Sequence, residues 1–377
     1  QVSVLRDADV ICTQMISAAG QLLSRLGPFH GILVDEVAQA TELTSIVPIA
    51  HRGCERLVLI GDHCQLPPVV HSREAEKRGL SLSLYARLRW QGLQPFFLDT
   101  QFRSHPKLAE FSATSIYDGN LKTGISAEER LAPAGFAWPK AAVPVAFVET
   151  GENATETSAG ASKKNPQEAR ILVDILKTLL ETGDSQAWNV GIISPYAAQV
   201  KLLRRMCSSL KYSWDLEIGS VDYFQGREKD LILFSAVRNN PQRNVGFLGD
   251  WRRLNVMLTR ARRGLIVVGN AATLKSNEHM KRWLQWCVKH GLILGTKSAW
   301  HGTWERVLEN PSAKKRVRKW VRQLGTYNLV PQTRKAFKAF CMRELSGIIA
   351  EDAGSLWSFV FAARSMSVVQ DSKSDVS

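Results

Sequence analysis

The residues with the clearest chemical potential are two adjacent acids. Gly31-Ile32-Leu33-Val34-Asp35-Glu36 is an apolar run that ends in a carboxylate pair. At the carboxyl end of a parallel strand, the first acid can hold Mg²⁺ and the second can position or deprotonate an attacking water. A solvated acidic turn is the competing reading. Gln39-Ala40-Thr41-Glu42 continues the segment. Leu57-Val58-Leu59-Ile60-Gly61-Asp62 repeats the arrangement of strand, glycine and acid, and Gln65-Leu66-Pro67-Pro68 follows. A Gln amide there can read a terminal phosphate, and the two prolines stiffen the loop by fixing φ. A plain βα turn fits this segment equally well.

Two further groups supply cations. Leu98-Asp99-Thr100-Gln101-Phe102-Arg103-Ser104-His105-Pro106 places an Arg after an apolar run, with Pro106 suited to start a helix. An Arg brought by a second domain can neutralise charge on a transferred phosphoryl group, and Phe102 can stack on a base. A surface Arg and a core Phe are the alternatives. Val221-Asp222-Tyr223-Phe224-Gln225-Gly226-Arg227-Glu228-Lys229-Asp230 precedes a strong strand. Residues Leu248 to Arg263 read as a basic helix. On such a helix Arg253 and Arg260 share a face two turns apart and Asn255 does not. Arg260 then faces a phosphate and Asn255 holds a neighbouring loop, unless the helix is only a solvated charged surface.

The elements that must position these residues alternate along the chain. Asp9–Thr13, Gly31–Val34, Arg56–Ile60 and Pro95–Leu98 read as buried strands, with helices over Thr41–Ala50 and Leu80–Leu88. A second series follows. Strands are expected at Val143–Glu149, Asn189–Ile193, Leu231–Val237 and Leu265–Val268. Helices are expected at Pro166–Leu180, Ala197–Leu210 and Glu278–Lys289, and a loop at Gly151–Lys164. This order predicts an α/β fold with parallel sheets in two domains, residues 1–92 and 93–296. Residues 297–377 form a basic extension. Pro311 to Arg343 holds no acid but interleaves Trp320 and Tyr327 with many Lys and Arg, while Ser365–Ser377 has the composition of a disordered end. The extension reads either as a nucleic-acid arm or import signal, or as a weakly ordered tail.

Composition narrows the classes. The chain has 377 residues, 45% hydrophobic and 22% charged, the balance of a globular protein. Its 49 basic and 35 acidic residues give a net charge of +14, which favours polyanionic partners over a neutral ligand. No apolar stretch reaches the roughly 18 residues of a membrane span. The first ten residues match neither a signal peptide nor a presequence. The six cysteines form no CxxC pair and no zinc-spaced cluster, as expected for reduced thiols.

The five segments together, in this order, resemble motifs II to VI of superfamily 1 helicases. Within that superfamily the wording resembles the up-frameshift (regulator of nonsense transcripts) type. Ala8-Asp9-Val10-Ile11-Cys12, Gly61-Asp62-His63-Cys64-Gln65-Leu66, Trp138-Pro139, Gly191-Ile192-Ile193-Ser194-Pro195-Tyr196, Gly246-Phe247-Leu248 and Arg252 to Arg262 carry the resemblance, which runs from about residue 4 to about residue 295. It implies two RecA-like domains with ATP in the cleft between them. It also implies an ATP-dependent RNA helicase that moves 5′ to 3′ on single-stranded RNA. Asp35 would hold Mg²⁺, Glu36 would be the catalytic acid and Gln65 would sense the γ-phosphate. Phe102 would stack on adenine, Glu228 would bind the ribose, and Arg103 and Arg260 would be the two phosphate arginines. Gln39 and Gly226 complete the nucleotide-binding set. A cytoplasmic monomer acting with decay-factor proteins is implied, with the nucleus as a second compartment.

The sequence departs from the family in places. No Gly-x-x-x-x-Gly-Lys-Ser/Thr loop occurs in it, nor a Cys/His-rich zinc domain, and Val37, Phe102 and Ser104 differ from the commoner family residues. With no initiator Met and no strand ahead of the first domain's sheet, the expectation is a fragment whose first domain is truncated. The alternatives are a DNA helicase of the same branch and an ATPase-dead scaffold that binds nucleic acid.

Overall fold

The computed structural model describes residues 2–211 and 213–295. The basic extension, with the arm and tail readings placed on it, lies outside the described residues. The chain divides into two compact units. Unit 1 is Gln1–Thr100 with Ser115–Lys122; unit 2 is Gln101–Thr114 with the residues from Thr123 onward.

Unit 1 contains helix α1 (Val2–Arg6), strand β1 (Phe29–Val34), helix α2 (Glu42–Arg52), strand β2 (Cys54–Leu59) and helices α3 (Arg73–Lys77) and α4 (Leu84–Trp90). Strands β1 and β2 pair in parallel, from Phe29 opposite Cys54 to Val34 opposite Leu59. A parallel pair needs a crossover, and α2 supplies it. Thr41 caps α2 by accepting from the Thr44 N–H at 3.3 Å, and Gly53 ends it at φ 63°. Arg87 of α4 grips the Glu42 carboxylate of α2 through Nε and Nη2. Among the described residues β1 and β2 form a two-stranded sheet, and its apolar side chains are open: Leu33 is 70% exposed.

Three expectations fail in this unit. Asp9–Thr13 and Pro95–Leu98 are apolar but belong to no ladder, because a strand exists only where a neighbour satisfies its N–H and C=O groups. The helix expected from Leu80 starts at Leu84, where the Ser83 hydroxyl accepts from the Ala86 N–H at 3.1 Å.

Short strands β3 (Thr100–Gln101) and β4 (Lys122–Thr123) mark two of the points where the chain passes between units, and helix α5 (Pro106–Ser115) lies between them in sequence. Unit 2 continues with β5 (Val145–Glu149), β6 (Thr157–Ala159), β7 (Ser162–Lys164), α6 (Pro166–Thr182), β8 (Val190–Ile193) and α7 (Ala197–Cys207). It ends with β9 (Glu217–Gly219), β10 (Lys229–Ser235), α8 (Trp251–Leu258), β11 (Ala261–Gly269), α9 (Ala271–Leu274), α10 (Glu278–His290) and β12 (Ile293–Gly295). Six strands form one parallel sheet in the order β12-β5-β11-β10-β8-β9.

Both faces of this sheet are covered, so its strands are continuous apolar runs rather than alternating ones. Ile192, Leu233 and Val268 pack with Leu172, Ile175 and Leu176 of α6 in one fully buried cluster. Phe147 and Trp283 of α10 meet edge-on, with ring centroids 6.0 Å apart. The Asn165 side chain caps α6 by accepting from the Glu168 N–H at 3.1 Å. The expected α/β fold with parallel sheets is therefore present. The stretch expected to be a loop, Gly151–Lys164, contains the antiparallel hairpin β6–β7, which turns at Gly160 with φ 61°. A glycine first in a two-residue turn is the signal that composition alone obscured.

Candidate functional site

In unit 1 the chemistry gathers where β1 and β2 end. The backbone stays zippered one step past the ladder: the Ile60 N–H donates to the Val34 carbonyl at 2.8 Å, and the Val37 N–H to the Ile60 carbonyl at 2.9 Å. This sets Asp35-Glu36 beside Gly61-Asp62. The closeness requires Gly61, since a Cβ there would lie 2.9 Å from the Ala38 nitrogen. Glu36 takes a left-handed backbone, φ 53° and ψ 32°, a conformation that costs a non-glycine residue energy and clusters at functional sites.

Side chains in this corner are oriented. Asp35 is exposed, and its Oδ1 accepts from the Glu36 N–H at 2.9 Å. The Glu36 carboxylate accepts from Gln39 Nε2 at 2.5 Å, so Gln39 aims the acid. Gln65 Nε2 donates to Asp62 Oδ2 at 2.9 Å. Asp35, Glu36, Gln39 and Gln65 are thus on two neighbouring loops of one unit. The donor set suits Mg²⁺, a hard cation that takes one or two carboxylates and keeps its waters: Asp35 would hold the ion and Glu36 stands next to it. The ligand atoms of Asp62, His63 and Cys64 also lie within 4.8 Å of one another. Asp62 already accepts from the Cys64 N–H, from Gln65 and from the Tyr117 hydroxyl, so protein donors fill this carboxylate.

In unit 2 the second group gathers at the amino ends of β10 and β11. The Gln101 side chain folds the Phe102-Arg103-Ser104 turn, accepting from the N–H groups of Arg103 (2.9 Å) and Ser104 (2.8 Å). The Ser104 hydroxyl donates to the Ala261 carbonyl at 2.7 Å, and the His105 N–H to the Arg262 carbonyl at 2.9 Å. Arg103 is thereby fixed at the start of β11. It pairs with Glu228 through Nε and donates to the Thr259 carbonyl at 3.2 Å. Both partners of the pair are more than a third exposed, and such pairs are weak enough for a polyphosphate to displace. Phe102 is 65% exposed and lies over Gly124, where a Cβ would meet its ring at 2.2 Å. Sequence reasoning missed Gly124, because only the fold reveals the contact.

Arg260 corrects an expectation. It does not lie on the basic helix: α8 stops at Leu258, Thr259 caps it at φ −101° and ψ 6°, and β11 begins at Ala261. Pairing of Ala261 with Lys229 in the parallel ladder overrides continued helix. Arg253 and Arg260 therefore share no helix face. Arg253 lies 3.6 Å from Asp222 and 3.8 Å from Asp250. Arg260 is only 2% exposed, and its guanidinium donates to the carbonyls of Val256 (3.1 Å) and Arg227 (3.3 Å) and to the Thr259 hydroxyl (2.9 Å). Gly226, at φ 73°, makes the turn that presents the Arg227 carbonyl. Arg103, Glu228, Gly226 and Arg260 are thus brought together. Asn255 is fully buried on α8.

The carboxyl side of the same sheet holds a groove to which sequence reasoning assigned no role. Tyr196 follows β8 and Phe247 precedes α8, with ring centroids 5.6 Å apart. The Arg238 guanidinium stands 5.7 Å from the Tyr196 ring and that of Arg253 5.4 Å from the Phe247 ring. With Lys163 they line a cavity of about 390 Å³. Gly246 is favoured here by its left-handed backbone, φ 55°, and a Cβ would also crowd Arg238 Nη1 at 2.1 Å. Beneath the groove Val237 holds φ 69°, a strained value for a β-branched residue. Its N–H donates to Glu168 at 2.7 Å, and the Ser235 hydroxyl donates to the same oxygen at 2.7 Å. Burial pushes the Glu168 carboxyl up to about 8, although the Ser235 and Val237 donors pull it down.

Comparison with known proteins gives the family of the chain. Two family models, each described as an AAA domain, match residues 1–73 and 80–272. The chain is 42% identical over 281 residues to the regulator of nonsense transcripts 1 homolog of Drosophila melanogaster, covering 73% of this chain and 24% of that protein. It is 40% identical to the Arabidopsis thaliana homolog, covering 72% and 22%. It is 38% identical to the ATP-dependent helicase NAM7 of Saccharomyces cerevisiae, covering 74% and 29%. The chain belongs to this AAA-domain family, in its superfamily 1 helicase branch of the up-frameshift type. It spans about a quarter of the length of the curated relatives it matches.

Proposed function

We propose that this chain is part of an ATP-driven helicase of the nonsense-decay type, which moves 5′ to 3′ along single-stranded RNA in the cytoplasm. The observation that carries the reading is the corner of unit 1. Two acids at the carboxyl end of one strand are zippered against a Gly-Asp-x-x-Gln loop at the end of its neighbour. Asp35 would hold Mg²⁺, which would supply charge neutralisation on the phosphates when bound. Glu36, aimed by Gln39, takes the proton of the attacking water. Gln65 reads the terminal phosphate. In unit 2 Arg103 and Arg260 are the phosphate arginines, with Phe102 as the base-stacking face and Glu228 as the ribose contact. These roles require Arg103 to leave Glu228 and Arg260 to give up backbone carbonyls when nucleotide binds.

The groove of Tyr196, Phe247, Arg238, Arg253 and Lys163 is the strand-facing surface of unit 2. The exposed Phe247 face stacks on a base regardless of sequence, and the cations track the backbone. No helix among the described residues is long and apolar enough to cross a membrane. The 377 residues contain no Gly-x-x-x-x-Gly-Lys-Ser/Thr loop to cradle the phosphates, so ATP turnover is expected of the full-length protein and little of it from the purified chain. The test is ATP hydrolysis by the full-length protein with and without single-stranded RNA or DNA. Stronger stimulation by RNA supports the reading. Stronger stimulation by DNA gives the DNA-helicase alternative, and no hydrolysis with either gives the scaffold alternative.

A further inference from the structure

The Asp62 carboxylate ties two distant stretches of unit 1 together. Its Oδ1 accepts from the Cys64 N–H at 2.9 Å, a local bond of the kind any Asx turn makes. Its Oδ2 accepts from Gln65 Nε2 at 2.9 Å and from the Tyr117 hydroxyl at 2.5 Å. A carboxylate only accepts, so the first of these bonds decides which end of the Gln65 amide faces Asp62. The second comes from 55 residues away in sequence.

Tyr117 lies on Ser115–Lys122, the part of unit 1 that the chain reaches from Thr114 and leaves into Thr123, both residues of unit 2. The segment is a tight turn, with Asp118 and Gly119 at φ 51° and 76° and the Asn120 N–H donating to the Tyr117 carbonyl at 2.9 Å. Lys122 Nζ pairs with Asp99 at 2.6 Å, and the Tyr117 ring lies 6.5 Å from that of Phe97. The returning segment and the Gln65 loop therefore share one carboxylate oxygen.

We propose that Tyr117 is a positioning residue for Gln65. Acting through Asp62, it sets the direction in which the Gln65 amide is presented. The proposal rests on reading Gln65 as the terminal-phosphate sensor. Two donors on one oxygen share its charge, and bonds to a charged acceptor are the stronger kind. Removing the Tyr117 hydroxyl leaves Oδ2 to Gln65, so the carboxylate turns toward the amide and retunes the sensor without touching it.

The experiment uses the full-length protein and measures RNA-stimulated ATP hydrolysis for the wild type, Tyr117→Phe, Asp62→Asn, the double variant and Gln65→Ala. Tyr117→Phe keeps the ring against Phe97, so the thermal midpoint stays within about 2 °C of wild type. The expected result is a kcat about fivefold lower in Tyr117→Phe, with the KM for ATP within about twofold. Because both residues act through one oxygen, the double variant falls within about twofold of Asp62→Asn alone. A Tyr117→Phe protein with wild-type kcat, beside a crippled Gln65→Ala, overturns the proposal and spares the sensor reading. So does a double variant whose losses multiply. If Gln65→Ala itself turns over normally, the sensor reading fails and the proposal falls with it.

Discussion

The acid corner of unit 1 and the arginine cluster of unit 2 are held in opposite ways. The acids stand at the ends of a two-stranded ladder with exposed apolar faces, and their geometry comes from loop-to-loop backbone bonds, one glycine and a left-handed Glu36. The arginines stand at the ends of a six-stranded sheet buried on both faces, and the backbone carbonyls around them brace their guanidinium groups. Precision in the first region is local; in the second it is inherited from a core. A change in a loop should therefore disable the first without unfolding it, whereas a change in the second should register in stability as well as chemistry.

The sharpest break in this comparison is at the arginine that reaches solvent. Arg103→Ala in the full-length protein is expected to lower ATP turnover about 1,000-fold while the thermal midpoint hardly moves, as steady-state kinetics and calorimetry would show. Its buried neighbour is expected to behave differently. Arg260→Ala empties the site of a guanidinium that is only 2% exposed and takes away its bonds to the Val256 and Arg227 carbonyls, and should cost about 3 kcal/mol of unit 2 stability by denaturant titration. In unit 1, Gly61→Ala pushes against the Ala38 nitrogen. It should separate the two loops at about 2 kcal/mol and abolish turnover without changing unit 2, a contrast that hydrogen exchange can map.

The same contrast explains what could be read from sequence. Strands β5, β8, β10 and β11 of unit 2 were legible because each carries a continuous apolar run, as in Val190–Ile193 and Leu231–Phe234, whereas the short β9 and β12 carry no such run and were not expected. Asp9–Thr13 and Pro95–Leu98 look the same in sequence but have no ladder, which no local pattern records. The types and order of Asp35, Glu36, Gln65 and Arg103 suggested the chemistry proposed above. A support of the acid corner was invisible: Gly61 is required by the backbone nitrogen of Ala38 on the other loop. Arg260 was misplaced because helix propensity through Thr259 is adequate and only the pairing of Ala261 with Lys229 ends the helix. The Tyr196–Phe247 groove was in plain sight as two aromatics, but about fifty residues separate them in sequence.

The smallest effect sharpens the comparison on the core side. Glu168 is raised in the folded protein to about 8 from an ordinary 4.5. Between those values the unfolded chain gives up the proton and the folded chain keeps it, so this group makes stability fall as pH rises from about 4.5 to about 8. Glu168→Gln removes that dependence. The expected outcome is a flatter midpoint-against-pH curve across this window, with the Val237 turn retained, since a Gln oxygen still accepts from its N–H.

The central claim of the proposed function is that the Glu36 carboxylate is the catalytic base of an ATP-driven motor. The direct measurement is single-turnover ATP hydrolysis by the full-length protein with Glu36→Gln, beside nucleotide affinity from equilibrium titration. A loss of about 100-fold or more in the hydrolysis rate, with affinity within about threefold of wild type, is the predicted result. Hydrolysis as fast in the Glu36→Gln protein as in the wild type contradicts the account.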